Sequence, residues 1–304
     1  MNTQSNAMSE SSLGSPVVAP AAISATRRMY WAVRRELWES RSIYIAPLAV
    51  AALVLFGFLI ATIGRAMSAP NLAQRRAVLE EPYTFAALLI MGTTFIVGVF
   101  YCLDALHGER RDRSILFWKS LPVSDLTTVL SKASIPLVIL PLLTFVIIVV
   151  TQLIMLLLSS AVLVGSGLNV ATLWTHSSLF QMSLMLLYHL VAIHALWWAP
   201  LWGWLLLVSA WARRAAFLWA ALPLLAIGVV EKIAFNTSHF AAMLGYRFSG
   251  GAEAVASAPG SVLDPMTHLT PGHFLSSPGL WIGLAIAAAF LAAAVRLRRY
   301  QGPI

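Results

Sequence analysis

Charge is scarce in this chain. Only 11% of its 304 residues are Asp, Glu, Lys or Arg, against 59% hydrophobic, and the mean hydropathy is +0.80. Soluble domains carry roughly 25% charged residues, so a water-soluble fold is excluded and the bilayer is the expected solvent. Cysteine is nearly absent. Cys102 stands alone inside an apolar run, which excludes a disulfide within the chain and a cysteine metal centre and leaves it a packing role. No Gly-x-x-x-x-Gly-Lys-Ser/Thr occurs, so the chain does not cradle nucleotide phosphates by a P-loop. His-Glu-x-x-His and Gly-x-Ser-x-Gly are missing too. His189 and His194 are five residues apart rather than four, a spacing that does not put two ligands on one helical face, and they read as core or interfacial histidines. His268 and His273, near Asp264, likewise lack ligand spacing and read as loop residues. The apolar runs contain almost no acid or base. Asp104 and Glu231 stand at their ends, and this scarcity argues against an ion-coupled pump.

What is there is long hydrophobic runs and an excess of positive charge. The net +8 comes from 20 Lys and Arg against 12 Asp and Glu. In a membrane protein such an excess faces the cytoplasm and anionic lipid, and nucleic acid is not an expected partner. Residues 1–25 lack a basic start and an apolar core of signal-peptide type and read as a disordered polar tail. In residues 26–41, Tyr30, Val33 and Leu37 share a helical face, Trp31 and Trp38 flank it, and the arginines lie mostly opposite. That pattern predicts an amphipathic helix in the headgroup layer.

An all-α fold follows, a single transmembrane domain over 26–304 with spans near 43–64, 83–103, 134–164, 179–211, 215–230 and 279–295. Pro136 and Pro141 are expected to kink the start of the third span. The fourth run is too long for one straight crossing and too short for two, and Pro200 and Gly203 suggest one kinked crossing with an interfacial piece. Thr151 and Gln152 are expected to bond a neighbouring helix, and Trp197, Trp198, Trp202, Trp204 and Trp211 to form an interfacial belt. With six spans, fifteen of the Lys and Arg fall on the side of the termini and five on the other, so both termini are expected in the cytoplasm.

The densest charge lies between spans two and three, over 104–132. Glu109, Arg110, Arg111, Asp112 and Arg113 run directly into Ile115-Leu116-Phe117-Trp118. A short helix there would set Ile115 and Trp118 on one side with Phe117 and Leu121 beside them, and Pro122 would end it. Ser124 or Asp125 would cap a second helix carrying Leu126, Val129, Leu130 and Ala133 at helical spacing. Such a bulky apolar tip needs a cover, either headgroups or another protein.

Six spans, an amphipathic N-terminal helix and this charged elbow resemble the permease subunits of ABC type-2 exporters, and Glu109 to Ser124 looks like that family's coupling segment. The resemblance covers the topology of most of the chain and the motif of about 104–132. It implies a transport subunit of the bacterial inner membrane with no ATPase and no cofactor of its own. ATP would be bound by a separate cytosolic ABC ATPase, and a second permease copy, identical or paralogous, would complete the path. The same resemblance implies that Ile115, Phe117, Trp118, Leu121 and Pro122 meet the ATPase while Glu109 to Arg113 orient the contact, and that Asp264 to Trp281 holds short re-entrant helices. Two other classes stand beside it: a non-transporting assembly or sensor component, and a lipid-acting membrane enzyme or secondary carrier. The substrate is not encoded in any motif.

Overall fold

The computed structural model describes residues 24–66, 72–120, 123–165, 179–250 and 271–304. The described residues are helical almost throughout. α1 (Ala25–Glu39) leads into α2 (Ser42–Ala66), then α3 (Leu72–Ala105), α4 (His107–Arg111), α5 (Ser114–Ser120) and α6 (Asp125–Ser134). A π-helical segment, π1 (Ile135–Ile139), joins α6 to α7 (Leu140–Gly165). α8 (Leu179–His189) passes through a second one, π2 (Leu190–Trp197), into α9 (Ala199–Trp211). α10 (Ala216–Phe235), α11 (His239–Phe248), α12 (Pro271–Ser276) and α13 (Pro278–Tyr300) complete the chain. Among the described residues six helices are long and apolar enough to cross a membrane, and the fold is that of a polytopic membrane protein.

Local chemistry explains the breaks. Ser24 and Ser124 accept the backbone N–H groups of Arg27 and Thr127, capping α1 and α6. Pro136 has no N–H to give, and the chain around it widens into π1 rather than simply kinking. The fourth run is continuous helix up to Trp198, where the backbone leaves helical geometry before Pro200 restarts it as α9. α9 is the most buried part of that run and packs as a core helix against α13. A Cβ at Gly203 would lie 3.2 Å from the Ala287 carbonyl of α13, and the absent side chain is what lets the two helices approach.

Other boundaries move. The expected link 65–82 is helical from Leu72, and the fifth span extends to Phe235, past Glu231 and Lys232. Glu231 closes its end differently: the carboxylate accepts from the N–H groups of His239 (2.6 Å) and Phe240 (2.8 Å) and from Thr237, capping α11. Asn236 turns the corner with φ 50°, which Asn tolerates. Part of the re-entrant stretch expected over Asp264 to Trp281 is seen as α12 and the start of α13; its residues up to 270, with Asp264 and His268, lie outside the described residues.

The tryptophans expected as an interfacial belt divide: Trp211 is 43% exposed and meets Trp219 edge-on, whereas the other four are at least partly buried. Trp197 and Trp202 are buried, and each indole reaches a main-chain carbonyl: Trp197 and Trp198 share that of Arg247, Trp202 takes His194 and Trp204 takes Ala220. They tie helices together inside the bundle, where a buried N–H must find an acceptor. Thr151 also departs from expectation: its hydroxyl donates to Ile147 of its own helix. Cys102 is fully buried, as its apolar setting predicted.

Candidate functional site

The elbow is built on the end of α9. Ser209 Oγ accepts the backbone N–H groups of Leu106 (3.0 Å) and His107 (2.9 Å), which stabilises the break between α3 and α4. Arg110 Nη1 then donates to the carbonyls of Ala210 (2.6 Å) and Ala212 (3.2 Å). The last carbonyls of a helix have no partner within it, and a cation there is favoured by the helix dipole as well. Arg110 is therefore a cap for α9.

Behind α4 lies a buried cluster of charge. Lys132 Nζ, on α6, sits 3.0 and 3.1 Å from the Glu36 oxygens of α1 and 3.1 Å from Glu109. The second Glu109 oxygen accepts from Arg298 Nη2 of α13 at 3.0 Å, and Arg298 Nη1 pairs with Asp125. Arg35 adds contacts to Glu36 (2.7 Å) and Glu109 (3.3 Å), and Tyr101 O–H donates to Glu36 (2.9 Å). Three carboxylates and three cations thus close on one another from α1, α4, α6 and α13, with Glu39 beside Arg35 at the rim. The balance matters because an unpaired charge at this depth costs several kcal/mol. Burial alone would raise the Glu36 carboxyl. The attraction of Lys132 and Arg35, with hydrogen bonds from Lys132 and Tyr101, outweighs it and holds the group below the ordinary carboxylate range.

α5 projects from this cluster. Arg113, at φ 60°, makes the turn between α4 and α5 in the left-handed region. Ile115 is buried, 1% exposed, and points into the protein. Trp118 is half-buried under the Arg35 guanidinium, 3.8 Å from its ring centre. Phe117 is 59% exposed with its ring edge-on to Trp118 at 4.9 Å, and Leu116 is equally exposed.

The expected site residues therefore divide. Glu109 and Arg110 are internal, whereas Arg111 and Asp112 are exposed, pair with each other at 3.0 Å and stay at the surface with Arg113. Ile115, expected on the tip, is an anchor: the helix turns it inward, and its place at the tip is taken by Leu116. Leu121 and Pro122 lie outside the described residues. On α1, Val33 and Leu37 pack against the main core, and Tyr30, Trp31 and Trp38 are exposed. Arg34 lies between the two indoles, 5.1 Å from Trp31 and 4.8 Å from Trp38. Sequence reasoning missed Arg35, Glu36, Tyr101, Lys132, Ser209 and Arg298, and read Asp125 only as a helix cap. One signal was readable: Glu36 is three residues from Val33 and next to Leu37, hence an acid on the apolar face of α1.

None of the family models, characterised proteins or solved structures compared with this chain matches it.

Proposed function

We propose that the chain is the membrane-spanning permease subunit of an ATP-driven exporter of the ABC type-2 kind, working with a second permease copy and a separate cytosolic ATPase. One observation carries the reading: the elbow offers an exposed apolar pair, Leu116 and Phe117, on a short helix that is braced from behind, through Trp118 under Arg35, by a buried, charge-balanced cluster. An apolar tip designed only to lie among headgroups needs no rigid support, because lipid yields to it. A tip that transmits force to spans needs one. In this reading ATP-driven closure of the partner pushes on α5. Glu109 passes the displacement to α13 through Arg298, to α6 through Lys132 and to α1 through Arg35 and Lys132. The elbow then faces the cytoplasm of a bacterial inner membrane, with α1 lying against anionic lipid. The role is mechanical and the chain contributes no chemical step.

The test is purification in mild detergent with an ABC-class ATPase co-expressed beside it, scored for the bound nucleotide-binding subunit and for ATP hydrolysis. The expected result is a retained, active ATPase whose retention falls roughly tenfold or more in Phe117→Ala, the size of loss typical of a buried aromatic anchor. Arg111→Ala should leave retention unchanged, as surface charges usually do. A wild-type protein that never holds an ATPase overturns the proposal.

A further inference from the structure

The chain does not leave the protein when α13 ends. From Arg299, in the last turn of α13, to Ile304 it runs against the elbow and bonds to it repeatedly. Lys119 Nζ, at the end of α5, donates to the carbonyls of Arg299 (3.4 Å) and Gln301 (3.0 Å). Arg110 Nε donates to the Gly302 carbonyl (3.3 Å), and the Ile304 N–H returns a bond to the Arg110 carbonyl (3.2 Å). Pro303, between them, brings no N–H and a restricted φ, which suits an extended strap. Four contacts in six residues form a built attachment.

From this we infer that residues 299–304 are a strap that holds α5 in its presenting orientation, with Lys119 and Arg110 as its anchors. Without the strap, α5 is tied down at Ile115 and at Trp118 under Arg35, both on one side of the helix. Neither contact stops the helix from rolling about that side. Lys119, four residues after Ile115, extends that face on the flank away from Trp118, and its bonds to the strap give α5 a third point of attachment that resists the roll. Phe117 then faces outward at a fixed angle, and ordering it before contact removes part of the entropic cost of binding. Lys119 is in this sense a positioning residue, a role its exposed place in the sequence does not announce. The purpose assigned to the strap rests on the function proposed above; the strap itself does not.

Amide hydrogen exchange on the full chain in detergent tests it, with two surface substitutions that spare the core. Lys119→Met keeps the aliphatic stem and removes the ammonium, and Ile304→Pro removes the N–H that Arg110 accepts. The double variant should exchange about fivefold faster or more over 114–120, with α7 unchanged, since each lost hydrogen bond is worth a factor of this size. Unchanged exchange over 114–120 overturns the strap. Retention of an ATPase is the second readout: wild type retaining it and the double variant retaining several-fold less supports the purpose. Faster exchange with equal retention overturns the purpose while leaving the strap. A wild type that retains no ATPase, with faster exchange in the variant, overturns the exporter proposal and leaves the strap standing.

Discussion

Glu109 is the residue on which the charged end of the bundle closes, because among the described residues it alone receives Arg35, Lys132 and Arg298. Glu109→Gln keeps the shape and removes the charge, leaving those cations short of an acid at a depth where water does not screen them. A loss of about 3 kcal/mol is expected, the lower end for a broken buried pair, read as a fall in the thermal midpoint in detergent. Glu36 makes a pH prediction with a definite sign. Its folded carboxyl is held below its ordinary value of 4.5, so its contribution is complete above that value and is lost as pH falls through the lower folded value. Thermal stability measured on descent through that acid range should drop, and Glu36→Gln should flatten the drop while lowering the plateau above it. Arg113 makes a prediction of opposite direction. A non-glycine residue in the left-handed region is strained by about 1 kcal/mol, so Arg113→Gly should leave stability equal or raise it, despite the freedom glycine adds to the unfolded chain.

Helix contacts carry the next set of consequences. α11 is held to π2 and α13 around Arg247: its carbonyl accepts the Trp197 and Trp198 indoles, Tyr246 meets Trp197 edge-on, and the Arg247 guanidinium stacks over Trp197 at 4.3 Å and donates to the Gly279 carbonyl of α13 at 3.1 Å. The guanidinium occupies the space left by Gly283, where an added Cβ would overlap it. Gly283→Ala should therefore expel the Arg247 guanidinium and loosen α11, which stays held by its indole bonds and the Glu231 cap, seen as moderately faster amide exchange over 239–248 with little change at α9. The boundaries of helices were legible where a cap or a proline marks them, as at Ser124 and Pro136. They were not legible at Phe235, because Glu231 looks like a polar stop and is instead a cap for the following helix. The tryptophan cluster was legible only in part. Composition places Trp at an interface, but Trp197 and Trp202 are placed by the acceptor each indole finds.

At the scale of the molecule, the bundle presents an apolar exterior over its spans and gathers its buried ion pairs at the end where α1, the elbow, α6 and α13 converge. The proposed orientation predicts a labelling result. Cys102 is fully buried and leaves a quiet background, so Ser238→Cys should react with an impermeant maleimide in whole cells and Asp112→Cys only after permeabilisation. The reverse pattern would place the elbow outside and remove the exporter reading with it.

Membrane residence, helical class and the number of apolar spans were written in the sequence, because hydropathy sums over adjacent residues and a bilayer admits few backbone solutions. The elbow was legible as well, as a run of charge abutting a run of bulk. What the tertiary structure alone decided is which of those charges meet. Glu109 and Arg298 are 189 residues apart and pair at 3.0 Å, and no local period encodes that. The same holds for Ile115 and Leu116, neighbours of equal hydrophobicity: the way α5 is turned, with Trp118 under Arg35, buries one and leaves the other exposed.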